Sequence, residues 1–182
     1  MGVDVGQVRV GLAGCDRDGL LATPIRTLKR DPRRNSDVRI LVREASERGA
    51  VQIIVGLPKN LSGQEGASAE MARDYAGLVV EELRRQSLTV PVRLVDERLS
   101  TVSAHRSLHA AGLSSREHRK VIDQVAAVEI LQHAIDTQRS RERDVGDPVP
   151  VRHAEGAQSP LLTPIEEPVI KDSSPSRRDP ES

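Results

Sequence analysis

The sequence predicts an α/β protein with a mixed five-stranded sheet and helices on both of its faces. Two observations carry that prediction. Three short strand-like runs follow one another before residue 30, and helix-like and strand-like runs then alternate to about residue 138. Consecutive strands pair as hairpins, whereas helix–strand alternation builds parallel crossovers, so together they make a mixed sheet between two helical layers.

The elements follow in order. Met1–Val5 is short and apolar and reads as the first strand; Val8–Cys15 alternates through Val8, Val10 and Leu12 as the second. A third strand over about 20–28 contains Pro24, which argues for an edge position. Val38, Leu41, Val42 and Ala45 share one face of a helix over 37–48, which Gly49 ends. Val51–Val55 is β-branched and reads as a buried parallel strand, closed by Gly56-Leu57-Pro58. A long helix is expected over 67–86 and a further buried strand over 91–95. Ser100 can cap a helix over 101–111, which Gly112 ends, and Ser114 with Glu117 has capping-box spacing for a last helix to about 138.

The remainder has a different character. Residues 140–182 are rich in Pro, Ser and acids, with seven of the chain's 11 prolines after residue 140. Such a segment buries too little apolar surface to offset its chain entropy, so the expected organisation is one domain over 1–139 and a disordered tail over 140–182. Residues 1–140 carry 21 Lys/Arg against 18 Asp/Glu, and the rest 6 against 9. A mildly basic body with an acidic tail suits a polyanionic partner without requiring one, and the tail is expected to compete with that partner. One tyrosine and no Phe or Trp exclude an aromatic base-stacking platform. A nucleic-acid partner would be gripped by its phosphates and shape. Cys15, the lone cysteine, excludes an internal disulfide, fits a reducing cytosol and reads as a small core residue. No run of about 18 apolar residues is present for a membrane span, and no secretory signal is seen.

Four motifs carry chemistry. In Gly2-Val3-Asp4-Val5-Gly6-Gln7-Val8-Arg9-Val10-Gly11-Leu12-Ala13, an acid sits in an apolar strand, which is costly unless compensated, and glycines beside it let a phosphate or metal approach. The plainer reading is a strand-end turn whose Asp bonds local amides. In Asp96-Glu97-Arg98-Leu99-Ser100-Thr101, period-two alternation sends the two acids to opposite faces, so only one can enter a shared site. Asp123 shares a helical stripe with Ala127, Leu131 and Ala134, a stripe that should face the core. A carboxylate there needs a partner, either a metal or an arginine. The glycine-rich run 56–66 precedes a helix whose free amides could hold a phosphate, with Lys59 as a point charge. Three carboxylates from two strand ends and a helix could converge on two Mg²⁺ ions, which activate water and stabilise a leaving oxygen. His105 and His109 have zinc-ligand spacing but no third ligand.

These motifs, in this order over about residues 1–138, resemble those of the YqgF (RuvX) family of nucleases: GxDxGxxRxGxA at 2–13, VGLPxxxxGxxG at 55–66, DERxST at 96–101 and the D-x-x-AA-x-x-ILQ run at 123–132. The resemblance implies an RNase H-like fold related to the RuvC resolvases. It implies a nuclease dependent on Mg²⁺ or Mn²⁺, with Asp4, Glu97 and Asp123 as its catalytic and metal-binding acids. Arg9, Lys59, Arg98, Arg119 and Lys120 are the expected nucleic-acid contacts in and beside these motifs. The implied role is processing of the 5′ end of pre-16S rRNA in ribosome biogenesis, in the cytoplasm, by a chain that in some members is a homodimer. Members usually have several more residues before the first motif. With only Met1-Gly2-Val3 ahead of Asp4, the first strand is expected to be poorly anchored, as in a fragment or a late start.

Three other functions compete. A Holliday junction resolvase would use the same site in a dimer on four-way DNA. An actin-like ATPase also opens with Asp-x-Gly, but needs two comparable domains. A non-catalytic nucleic-acid adaptor would tolerate Asp123→Asn.

Overall fold

The hairpin-forming N-terminal third organises the sheet. In a computed structural model describing residues 1–59, 64–96 and 116–151 (116–122 by backbone alone), the strands are β1 (Gly2–Val5), β2 (Arg9–Cys15), β3 (Ala22–Lys29), β4 (Ile53–Leu57), β5 (Val92–Asp96) and β6 (Asp147–Pro148). The described helices are α1 (Ser36–Glu47), α2 (Ala67–Arg85) and α3 (Arg116–Arg141). The sheet order is β3-β2-β1-β4-β5-β6. β1 runs antiparallel to β2 and parallel to β4, β4 is parallel to β5, and β6 returns antiparallel to β5. The sheet is mixed, with six strands where the sequence predicts five. These elements lie within one compact unit, Met1–Arg152; His153–Ser182 falls outside the described residues.

The alternation of side chains divides the core. Val3, Val5, Val10, Leu12, Val55 and Leu94 pack with the buried faces of α1 and α2. Ala13, Ile54 and Val95 pack on the other side with Ala127, Ile130, Leu131 and Ala134 of α3. On α1, Val38, Leu41, Val42 and Ala45 are buried as the periodicity predicts. Asp37 is buried beside them. It pairs with Arg30 at 3.3 Å, whose guanidinium lies 4.6 Å from the ring centroid of Tyr75. β1 is short yet held on both sides, and the Met1 carbonyl accepts from the Ile54 amide at 2.8 Å. Poor anchoring is therefore not observed. β3 is the edge strand that Pro24 predicts, and the ladder shifts register opposite it, between Leu12 and Ala13.

Three expectations are corrected. β4 begins two residues later than predicted and leaves Val51 87% exposed, because the parallel ladders align Ile53 with Val92 and Ile54 with Gly2. Cys15 is exposed, since β2 ends there, past the layer that α3 covers. Residues 140–148, assigned by composition to the tail, instead complete α3 and form β6. Arg93 explains why so polar a segment docks. Its Nε donates to the Val145 carbonyl at 2.8 Å and an Nη to that of Gly146 at 2.7 Å. Arg93→Met should cost about 2 kcal/mol, since charged donors to carbonyls contribute on that order. Urea denaturation measures the loss, and amide exchange should show the Val149 amide, bonded to the Val92 carbonyl at 2.9 Å, losing protection.

Candidate active site

Asp4 lies on the central strand with Val3 and Val5 directed to the α1/α2 layer. Alternation therefore turns Asp4, like Gly2, to the α3 face. Asp4 is only 5% exposed. Its partner across the antiparallel ladder is Gly11. Continuing the parallel register of β1 with β4 by one residue brings Gly56 alongside it on the other side. The carboxylate thus stands between two positions without side chains.

Gly11 is also where α3 comes down on the sheet. A Cβ built there would run into the Asp123 carbonyl oxygen and carbon, and would lie 3.3 Å from the Gln124 nitrogen. Gly2 does the same further along: a Cβ would meet Leu131 Cβ at 2.6 Å and the Ala127 carbonyl at 2.7 Å. Two glycines on neighbouring strands let the helix backbone lie directly on the sheet, closer than any side chain allows. The backbone of Asp123 is thereby fixed against Gly11, the ladder partner of Asp4, on the face to which Asp4 turns.

Asp123 is not buried without a counter-charge. Arg9, also on the α3 face of β2, donates Nε to its Oδ2 at 2.5 Å, with side-chain exposures of 24% and 20%. The arginine partner that the sequence left open is thus present, two residues before Gly11. Asp96 ends β5 opposite Leu57. Val92 and Leu94 place its side of the strand on the α1/α2 layer. There Lys59 Nζ lies 3.9 Å from its Oδ2 and 3.6 Å from Glu65 Oε1. Glu65 is held below the usual carboxylate range, first by its hydrogen bond from Arg73 and further by Lys59. Lys59 is therefore occupied by two carboxylates, which weakens its case as a free phosphate contact.

Several predicted residues fall elsewhere. Glu97, Arg98, His105 and His109 lie outside the described residues, as does the helix expected over 101–111. Arg119 and Lys120 lie in α3, with only their backbone described. Among the described residues no group of three His, Cys, Asp or Glu is placed to hold a metal, and no helix is long and apolar enough to cross a membrane. Sequence reasoning missed Arg9 as the partner of Asp123, although both sit inside the motifs it singled out.

The class of the protein, a phosphodiester-cleaving nuclease, follows from its family and relatives. The sequence model of the RuvX family, described as Holliday junction resolvase, matches residues 1–137, and the chain belongs to that family. A protein of Kineococcus radiotolerans named "Putative pre-16S rRNA nuclease" is 54% identical over 77% of this chain and 72% of its own. One of the same name from Frankia casuarinae is 50% identical over 76% and 67%. The solved structure "T. thermophilus RuvC in complex with Holliday junction substrate" covers 81% of this chain and 96% of its own, at 14% identity and a TM-score of 0.47, too distant to bear on function.

Proposed function

We propose that the protein is a divalent-metal-dependent endonuclease acting on the 5′ end of the 16S rRNA precursor, with Asp4, Glu97 and Asp123 as its catalytic acids. The observation that carries this reading is the packing of the Asp123 backbone on Gly11, the ladder partner of the buried Asp4. Glu97 is assigned to the set from the DERxST motif that carries the family resemblance. A set of carboxylate oxygens fits Mg²⁺ or Mn²⁺, which Asp4, Glu97 and Asp123 would hold. Two such ions, when bound, supply an activated water and neutralise charge on the cleaved phosphodiester. The chain itself holds the acids in register through the sheet and α3. Arg9 balances and orients Asp123, and the buried setting of Asp4 keeps competing water away from it.

RNA is favoured by the names of the relatives and by a surface poor in aromatics, suited to phosphates and shape more than to bases. We place the activity in the cytoplasm, where a lone thiol stays reduced. The family description favours a second reading, resolution of four-way DNA, which would need a homodimer to make two cuts. Cleavage of precursor RNA and of a four-way DNA junction, each with Mg²⁺ or Mn²⁺, separates the two. Wild type should cut the RNA, and Glu97→Gln should cut at least about a hundredfold more slowly. Equal rates for the two proteins would remove Glu97 from the site.

A further inference from the structure

The β3 edge carries cations that this reading does not use. Arg9 and Lys29 are partners in the β2–β3 ladder. Leu28 belongs to the α1/α2 core, so Lys29 takes the opposite face, the one that holds Arg9, Gly11 and Asp4. β3 runs in the same direction as β1, so Lys29 lies at the edge of the sheet where β1, β4 and β5 end. Lys29 is two strands from β1, about 10 Å at ordinary strand spacing. The chain then continues as Arg30-Asp31-Pro32-Arg33-Arg34.

This turn is held by hydrogen bonds; of its acids Asp37 is buried and Asp31 is part-exposed. The Arg30 amide donates to the Val8 carbonyl at 2.9 Å, tying the turn to the β1–β2 connection. Asp31 accepts from the Arg34 amide at 3.2 Å and from the Ser36 hydroxyl at 2.6 Å. Asp37 accepts from the Asp31 amide at 3.2 Å and pairs with Arg30. Arg26 is committed to Glu44 on α1. That leaves Lys29, Arg33 and Arg34, all exposed, none with an ion-pair partner among the described residues. Three exposed cations, running from Lys29 on the α3 face round the turn to Arg34, which lines a cleft beside Glu81, Glu82 and Arg85 of α2, complement a chain of phosphates.

Resting on the nuclease reading, we infer that Lys29, Arg33 and Arg34 form a phosphate-binding shelf that carries the RNA backbone away from the Asp4–Asp123 site across the β3 edge. The test is binding of single-stranded RNA to the full chain without divalent ions, so that cleavage plays no part, across a salt series. The variant K29Q/R33Q/R34Q is compared with R43Q/R84Q/R143Q, which removes equal charge from the outer faces of α1 and α2 and from beyond α3. The shelf variant should bind at least roughly tenfold more weakly at low salt, with its log K against log salt slope smaller by about 2. The control should stay near wild type, and thermal melting should show both folded. Equal losses in the two variants, or none in either, overturn the shelf while leaving the nuclease reading intact. A loss confined to a four-way DNA junction overturns RNA as the occupant. A wild type that binds neither nucleic acid, and cuts neither, overturns the shelf and the nuclease reading together.

Discussion

Asp4→Asn is expected to lower cleavage by about a thousandfold or more while the protein remains folded. The side chains are nearly isosteric, so packing at a position 5% exposed is preserved. What changes is charge. A buried carboxylate is costly to maintain, and a protein retains one at the centre of a sheet where something uses it. Asp4 has a partner in the fold, so thermal stability in metal-free buffer should fall only by what one such interaction contributes, about 1 kcal/mol. The substitution should also abolish the stabilisation that added Mn²⁺ gives to wild type, since a ligand stabilises only the state that binds it. If Asp4 instead serves a strand-end turn by accepting from local amides, Asn supplies the same carbonyl acceptor and cleavage survives. The two accounts therefore predict opposite results for one substitution, with melting curves confirming that both proteins are folded.

Asp123 gives a less clean experiment, and the reason is Arg9. Asp123→Asn removes the counter-charge of a guanidinium only 24% exposed. A stability loss of about 1 kcal/mol would accompany any loss of activity, as ion pairs that keep some solvent contact contribute on that order.

Much of this arrangement was legible because local pattern and tertiary role agree. The α1 face, the edge position of β3 and the inward stripe through Ala127, Leu131 and Ala134 follow from period and from proline chemistry alone. The Arg9–Asp123 pair was not legible, because its members are 114 residues apart and no local period connects them. Gly11 could be recognised as a motif residue, yet its spacing suggested approach by a phosphate, whereas in the fold it is approached by a helix backbone. β6 was hidden for a different reason. Asp147–Pro148 has poor strand propensity, and the segment docks because Arg93 offers donors to its carbonyls. Likewise Asp37 looks like an ordinary first-turn acid until Arg30 and Tyr75 are seen beside it.

Gly11→Ala should cost about 3 kcal/mol, at the upper end for overpacking. The added Cβ meets only backbone, the carbonyl of Asp123 and the nitrogen of Gln124, so no side-chain rotation relieves it. α3 would have to lift from β2, yet Ala127, Ile130, Leu131 and Ala134 hold it to the sheet further along. The helix should pivot at its N-terminal half and carry Asp123 away from Asp4. Urea denaturation should show the stability loss, and calorimetry with Mn²⁺ should show weakened binding even where the variant is fully folded. Gly14→Ala is the matched control. Its Cβ would meet only Ile25 Cδ1 at 3.2 Å and Cγ1 at 3.5 Å, the outer atoms of a side chain that can yield, so it should stay within about 1 kcal/mol of wild type. If Gly11→Ala behaves like Gly14→Ala in both measurements, α3 does not rest on β2 at Gly11, and the placement of the Asp123 backbone against the ladder partner of Asp4 loses its structural cause.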